Sequence, residues 1–153
     1  MADSSTTWLS LDYFPAFFDR EEITCWDMMV NISGEVIHHV KVRHKNAENR
    51  WTMTLETRTR WIESRDIDAI EKLIADIGFE NFKREYDCSW DDQDWRTLSV
   101  VLKERTHRVH VDGAGVLVYH GDQDVQNFLR LWDFIMTFAP SPKEKKRKHY
   151  QLG

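Results

Sequence analysis

Residues 25–61 alternate between apolar and polar side chains in three consecutive segments, a period of two that places the two kinds of side chain on opposite faces of a β-strand. The apolar positions are, in order, Trp26, Met28, Val30 and Ile32, then Val36, His38, Val40 and Val42, then Trp51, Met53 and Leu55. Ser33-Gly34 provides a hairpin turn between the first two segments. The pattern predicts an antiparallel meander in which Trp51, Met53 and Leu55 face inward, and Thr52, Thr54, Glu56, Arg58 and Arg60 face solvent.

Two later segments have helical periodicity. Residues 65–79 carry isoleucine and leucine at helical spacing, with Ser64 as a candidate N-cap and Gly78 as a candidate C-cap. Residues 122–138 form a second amphipathic segment that ends before Pro140. Between them, residues 98–102 and 109–111 alternate like strands, and "GVLVYH" (115–120) is a further apolar run. The predicted fold class is α+β, with the order β-β-β-α-β-β-(β)-α and two helices packed on one face of an antiparallel sheet.

The chain has 153 residues, a length that suits one domain. We expect an aromatic N-terminal arm over 1–22, a single α+β domain over 23–139 and a basic C-terminal tail over 140–153. Pro15 is taken to exclude a central strand, so the arm is predicted to pack on the body as an extended or short helical segment. As an alternative, the exposed arm docks a partner or forms a homodimer.

Charge separates the tail from the body. The net charge is −5, whereas the tail segment "KEKKRKH" (143–149) is strongly basic, so the body is more acidic than the whole chain. An acidic body argues against a nucleic-acid partner, because phosphate would be repelled. Two separated cysteines, no signal-peptide pattern and no membrane-length apolar run favour a cytoplasmic protein, or a nuclear one if Lys145–Lys148 act as an import signal in a eukaryote.

The stretch "YDCSWDDQDW" (86–95) is the most unusual in the chain, because three aromatic residues and four aspartates occur within ten positions. An EF-hand loop needs a central glycine and a terminal glutamate that this stretch lacks, so no metal is assigned. Rings anchored in an acidic surround instead favour contact with a protein that has a basic surface. The predicted partner-binding residues are Tyr86, Trp90, Asp91, Asp92 and Asp94. In the other reading, the stretch is a solvated loop and Trp95 begins a strand that faces the core.

Catalytic signatures are missing from the sequence. It contains no GxSxG, no GxxxxGK[ST] and no GxGxxG motif, so neither catalytic residues nor a cofactor are assigned. The preferred function is a non-catalytic protein-binding module, of the immunity or accessory-subunit type, that uses the acidic, tryptophan-containing loop. The alternative is a small-molecule binder or hydrolase with a pocket between sheet and helices, where His38 and His107 would be the polar groups.

The run from Cys25 to Val36 has a cysteine before an alternating strand, a glycine turn at Gly34 and a valine-led return strand. In this it is similar to the opening hairpin of small uncharacterised bacterial α+β domains. The resemblance extends from about residue 23 to residue 138. It implies an α+β fold and no particular activity.

Overall fold

The computed structural model describes residues 6–15 and 23–141, and it has the α+β fold class that the sequence predicts. In chain order its elements are β1 (Thr7–Phe14), β2 (Ile23–Asn31), β3 (Glu35–Lys45), β4 (Trp51–Trp61), α1 (Ser64–Asp76), β5 (Glu85–Asp87), β6 (Trp95–Leu102), β7 (Arg105–Asp112), α2 (Ala114–Tyr119) and α3 (Gln123–Met136). A short 3-10 turn, Phe79–Asn81, follows α1. Within the described residues, no helix has both the length and the apolar composition needed to cross a bilayer.

The strands form one seven-stranded sheet in the order β4-β3-β2-β1-β6-β7-β5. Neighbouring strands are antiparallel except β5 and β7, which are parallel. β1 lies in the middle of this sheet, so the arm interpretation of residues 1–22 is wrong for 7–14. Pro15 lies one residue beyond the end of β1, where it terminates the strand instead of excluding it. The remainder of the predicted arm, and residues 142–153 of the predicted tail, lie outside the described residues.

One face of the sheet carries the hydrophobic core. The core cluster combines inward-facing strand residues with residues of α1 and α3, and its largest fully buried members include Leu9, Leu11, Met28, Ile70 and Phe128. Burial of this apolar area is the main stabilising contribution, at roughly 25 cal/mol per Å². No described helix covers the opposite side of the sheet, which we call the open face.

The second half of the chain differs from the predicted element order. "GVLVYH" was expected to be a last strand or an extended lead into the final helix, but Ala114–Tyr119 form the helix α2, so the described residues contain three α-helices and not two. The chain enters α2 through Gly113, whose φ of 73° is favourable for glycine. A short apolar run cannot distinguish a strand from one and a half turns of helix. The next helix begins as predicted, because the Asp122 side chain accepts a hydrogen bond from the Val125 backbone N–H at 3.0 Å.

The faces of β4 are the reverse of the prediction. Directly opposed residues of an antiparallel pair point to the same side of the sheet. In the observed register Arg58 lies opposite His38 and Glu56 opposite Val40, and both of those β3 residues are buried on the core face. Glu56 and Arg58 therefore lie on the core face, where Arg58 Nη2 donates to Glu56 Oε2 at 2.8 Å and both side chains are nearly buried.

Candidate functional site

The loop between β5 and β6, residues 88–94, carries the predicted acidic contact surface and is called the acidic loop. Trp90 is 59% exposed, and Asp91 and Asp92 are exposed beside it. The Trp90 ring meets the His120 ring edge-on at 6.3 Å between centroids. These three predicted contact residues thus lie together on the surface, on a loop that offers a partner one exposed indole and two carboxylates.

Two other residues predicted to contact a partner are engaged inside the protein. Tyr86 is buried, its hydroxyl donates to Asp124 Oδ2 at 2.7 Å, and it accepts from the Lys83 backbone N–H at 3.0 Å. Burial and the Asp124 hydrogen bond raise the pKa of Tyr86 to about 12. Asp94 accepts a hydrogen bond from Arg96 at 2.6 Å and is mostly buried. Tyr86 and Asp94 therefore hold the loop in place and are removed from the contact set.

Three potential metal ligands meet at the base of the acidic loop. Ligand atoms of Asp87, Cys88 and Asp112 lie within 4.8 Å of one another. Burial, followed by the charge of Asp87, raises the pKa of the Asp112 carboxyl. One oxygen of Asp87 already accepts the Ser89 backbone N–H at 2.8 Å. Groups of acidic side chains near a surface are common without an ion, so this cluster carries no metal assignment.

The largest concentration of exposed apolar side chains lies on β4. Eight large apolar residues are exposed among the described residues, and half of them belong to this strand. Trp51 and Met53 are each 54% exposed, and Leu55 and Trp61 are each 65% exposed. All four occupy odd-numbered positions on the open face, with Thr57 and Thr59 between Leu55 and Trp61. We call these four residues the apolar stripe. A concentration of exposed apolar side chains on one strand marks a contact site more often than scattered single residues do.

The backbone beside the apolar stripe is also available. β4 is an edge strand, and no other described strand pairs with its outer side. The backbone N–H of Ile62 donates to Gly34 O, and the N–H of Asn46 donates to Arg50 O, each at 2.9 Å. Because antiparallel hydrogen bonding alternates along a strand, even-numbered residues of β4 bond to β3 and odd-numbered residues direct their N–H and C=O outward. The same residues thus supply apolar side chains and free backbone groups.

A row of polar residues crosses the open face next to the stripe. His39 lies opposite Asp27, Asp27 opposite Asp12, and Asp12 opposite Thr97 on successive strands. His39 Nδ1 and Asp27 Oδ1 are 2.7 Å apart. Burial, then the neighbouring Asp27 charge, raises the pKa of Asp12. A depression of about 310 Å³ over this row is bordered by Asp12, Asp27, His39 and, from the stripe, Leu55. The open face therefore joins an apolar margin to a polar centre.

The pocket that the alternative function requires is not formed by the predicted histidines. His107 Nε2 lies 3.0 Å from the backbone oxygen of Phe82, and its ring meets Phe79 edge-on. His38 lies on the core face of β3, against Trp26, with ring centroids 4.9 Å apart. A cavity of about 460 Å³ lies between α1 and the end of β6, and neither histidine lines it. His38 and His107 are not brought together by the fold.

His38 predicts a dependence of stability on pH. Neither of its ring nitrogens has a hydrogen-bond partner among the described residues. Burial first, and then the Arg58 charge, lower its pKa from 6.5 to about 4. In the native state the His38 ring stays neutral at pH values where the same ring in the unfolded chain is already protonated. Its contribution to stability is therefore complete above pH 6.5 and is lost as the pH falls towards 4. We expect the free energy of unfolding to decrease by about 2 kcal/mol between about pH 7 and pH 4.5 because of this group.

Urea unfolding at several pH values measures this effect. The matched variant is His38→Phe, which fills a similar volume without a titrating group. Its unfolding free energy is expected to fall less steeply over the same range. Equal slopes for the two proteins would contradict the assignment of the pH dependence to His38.

Comparison with models of known protein families gives no match, and comparison with curated proteins gives none either. The resemblance of residues 25–36 to small bacterial α+β domains accordingly stays a prediction.

The sequence pattern contained a signal for the apolar stripe, but it was ambiguous. Trp51, Met53 and Leu55 alternate with polar residues as they would on a strand with either face buried. Trp61 is also odd-numbered, but Thr57 and Thr59 separate it from Leu55. The apolar residues are therefore interrupted in the second half of the strand, where Arg58 and Arg60 alternate with the threonines. Two basic residues on the predicted solvent face supported the wrong orientation, since nothing in the sequence shows that Arg58 has Glu56 as a buried partner.

Proposed function

We propose that this chain is a protein-binding module whose principal contact surface is the apolar stripe together with the free backbone edge of β4. The observation that carries the proposal is the coincidence of four exposed apolar side chains with a strand edge that no other described strand pairs with. A partner strand placed there would gain backbone hydrogen bonds for affinity and side-chain contacts for specificity.

The composition of this surface supports protein contact. Tryptophan and methionine are enriched in protein interfaces, and charged residues are depleted at interface centres. The open-face side of β4 carries Trp51, Met53, Leu55 and Trp61 with threonines between them, and no charged residue. Arg43 and Lys45 of β3 lie over the Trp51 ring, at 4.4 and 5.3 Å from its centroid, so the positive charge is confined to one end.

The acidic loop is a separate candidate surface. It presents a single exposed ring, Trp90, whereas β4 presents four large apolar side chains. Aromatic anchors contribute most of the energy of typical interfaces, so we assign the main contact to β4. Trp90, Asp91 and Asp92 remain the predicted contact for a partner with a basic surface. A role of the immunity or accessory-subunit type is compatible with either surface.

Site-specific photo-crosslinking in the expressing cell tests both surfaces. A photoreactive amino acid is placed at Leu55 in the stripe, at Trp90 in the acidic loop, or at the exposed Asp68 on α1 as a matched control. We expect discrete protein adducts at position 55, because the side chain there is directed outward on the proposed interface. Adducts at 90 but not at 55 would move the function to the acidic loop. The absence of adducts at both positions, or equal labelling at 68, would contradict the proposal.

A further inference from the structure

We propose that the partner of the apolar stripe is a second copy of this chain, paired through two antiparallel β4 strands about a two-fold axis at Thr57. This inference rests on the proposed function, since it names the occupant of the same edge. The dimer would continue the sheet from one copy into the other, with an isologous contact in which each strand meets its own equivalent.

The free backbone groups of β4 have the correct phase for this axis. Even-numbered residues of β4 form the backbone hydrogen bonds to β3, so the odd-numbered residues direct their N–H and C=O groups outward. With Thr57 opposite Thr57, the pairs that exchange hydrogen bonds are Thr57 with itself, Leu55 with Thr59, and Met53 with Trp61. Every member of these pairs is odd-numbered, so the outward groups of one copy meet the outward groups of the other.

Charge selects this axis over its neighbours. With Thr57 on the axis, Glu56 of each copy lies opposite Arg58 of the other, so the pair within each copy becomes a network of four alternating charges. Moving the axis by one residue places either Glu56 opposite Glu56 or Arg58 opposite Arg58. Like charges directly opposite across a strand pair destabilise it, whereas opposite charges stabilise it. Glu56 and Arg58 thus favour the Thr57 axis over both neighbouring axes.

Three residues of the apolar stripe gain a partner in the same register. Met53 of each copy lies opposite Trp61 of the other, which joins a thioether to an aromatic ring on both sides of the axis. Leu55 lies opposite Thr59, whose methyl group is on the same open face. Met53, Leu55 and Trp61 are each more than half exposed in one copy and would be partly covered in two, whereas Trp51 would lie opposite Glu63, beyond the end of β4. An exposed edge of this length without proline otherwise invites uncontrolled association, and closed pairing removes that hazard.

The segment most able to compete for this edge is the basic tail of the same chain. α3 ends near β4, as the hydrogen bond from Arg60 Nη1 to Thr137 O at 3.2 Å shows. A strand built from "KEKKRKH" would bring its positive charge next to Arg58 and Arg60. That repulsion favours a second copy, in which Arg58 meets Glu56.

Cysteine crosslinking tests the register. In a background with Cys25→Ser and Cys88→Ser, the variant Thr57→Cys is treated with a short bifunctional thiol reagent, and Thr59→Cys is the matched control on the same face. The Cα atoms of the two residues 57 would be about 5.5 Å apart, and those of the two residues 59 about 14 Å apart. We expect covalent dimer at 57 in at least about tenfold excess over 59. Equal yields at both positions would overturn the Thr57 axis.

Light scattering and sedimentation from about 5 to 500 µM test the association itself, because dimerisation depends on protein concentration. The full chain is expected to shift from one copy to two, and Thr57→Pro is expected to remain a single copy with an unchanged circular dichroism spectrum. Proline at 57 removes an N–H that the ladder to β3 does not use. A Thr57→Pro chain that still dimerises would overturn the inference, as would a full chain that stays monomeric.

The remaining outcomes separate this inference from the proposed function. A monomeric full chain that nevertheless forms adducts with a different protein at position 55 would keep the proposed function and reject the second copy. A full chain that is monomeric while a chain ending at residue 141 dimerises would show that the tail occupies the edge, and would also reject the inference. Absence of any adduct at 55 together with absence of dimer would reject both.

Discussion

A chain that lacks residues 1–14 is expected to lose cooperative folding altogether. β1 pairs with β2 on one side and with β6 on the other, and it joins the group β2, β3 and β4 to the group β5, β6 and β7. Its removal leaves two unpaired inner edges and exposes core side chains on both. Circular dichroism and thermal unfolding of the truncated chain provide the measurement. A sharp unfolding transition in that chain would restore the arm interpretation of this segment.

Point substitutions on β1 show how much of the stability depends on the packing of its side chains, because the strand itself stays in place. Leu11 is fully buried at the centre of the strand, and Leu11→Ala is expected to lower the free energy of unfolding by about 2–5 kcal/mol through lost burial and a residual cavity. Ser10 is the adjacent residue on the open face, and Ser10→Ala is expected to cost less than about 1 kcal/mol. Similar losses for the two variants would contradict the inner position of β1.

The second large effect is expected at the Glu56–Arg58 pair. The Glu56 side chain is only 12% exposed, and Arg58→Ala removes the guanidinium that pairs with it. We therefore expect the free energy of unfolding to fall by about 3 kcal/mol. Replacing both residues, as Glu56→Leu with Arg58→Met, removes the buried charges together, so the double variant is expected to recover most of that loss. Urea unfolding at a concentration where the chain is a single copy measures both variants.

An exposed ion pair provides the control. Arg65 Nε and Glu63 Oε2 are 2.7 Å apart, but both side chains are mostly exposed. Arg65→Ala is expected to change the unfolding free energy by less than about 0.5 kcal/mol, because water screens the pair. If Arg58→Ala and Arg65→Ala had equal effects, or if the double variant were as unstable as Arg58→Ala, the burial argument for β4 would be wrong.

The alternation of apolar and polar residues was sufficient to predict a strand and its buried face where one face of the strand is buried and the other is exposed to solvent. Val36, His38 and Val40 alternate on β3 and lie on the core face as predicted. The turn before them contains Gly34 at a φ of 98°, a backbone conformation that favours glycine. The buried face of β3 and the positive φ at Gly34 both depend on residues close in sequence. Both features could therefore be predicted from the sequence.

β1 was misassigned because aromatic residues occupy both parities of its sequence. Leu9, Leu11 and Tyr13 alternate on the core side, Phe14 has the other parity, and Trp8 also packs against the core because the register shifts between Thr7 and Leu9. Phe14 stacks on the Trp95 ring with centroids 5.3 Å apart, a contact with a strand far along the chain. An inner strand takes its neighbours from distant segments, and a single sequence does not show which segments those are.

The candidate site was only partly accessible from sequence for a similar reason. Trp90, Asp91 and Asp92 are exposed as expected, because a loop with little apolar content has no reason to bury them. The orientation of β4 depends on its pairing with β3 and on its place at the edge of the sheet, which only the assembled fold determines. The apolar stripe therefore became visible as a surface only through the register.

The central place of β1 has a consequence for synthesis of the chain. Leu9 is synthesised about 90 residues before its partner Val100. At ordinary rates of translation this interval is on the order of 10 s, during which the nascent β1 has one side without a partner. We expect the growing polypeptide to depend on chaperone protection until β6 is complete, and the last large step of folding to be the insertion of the oldest strand.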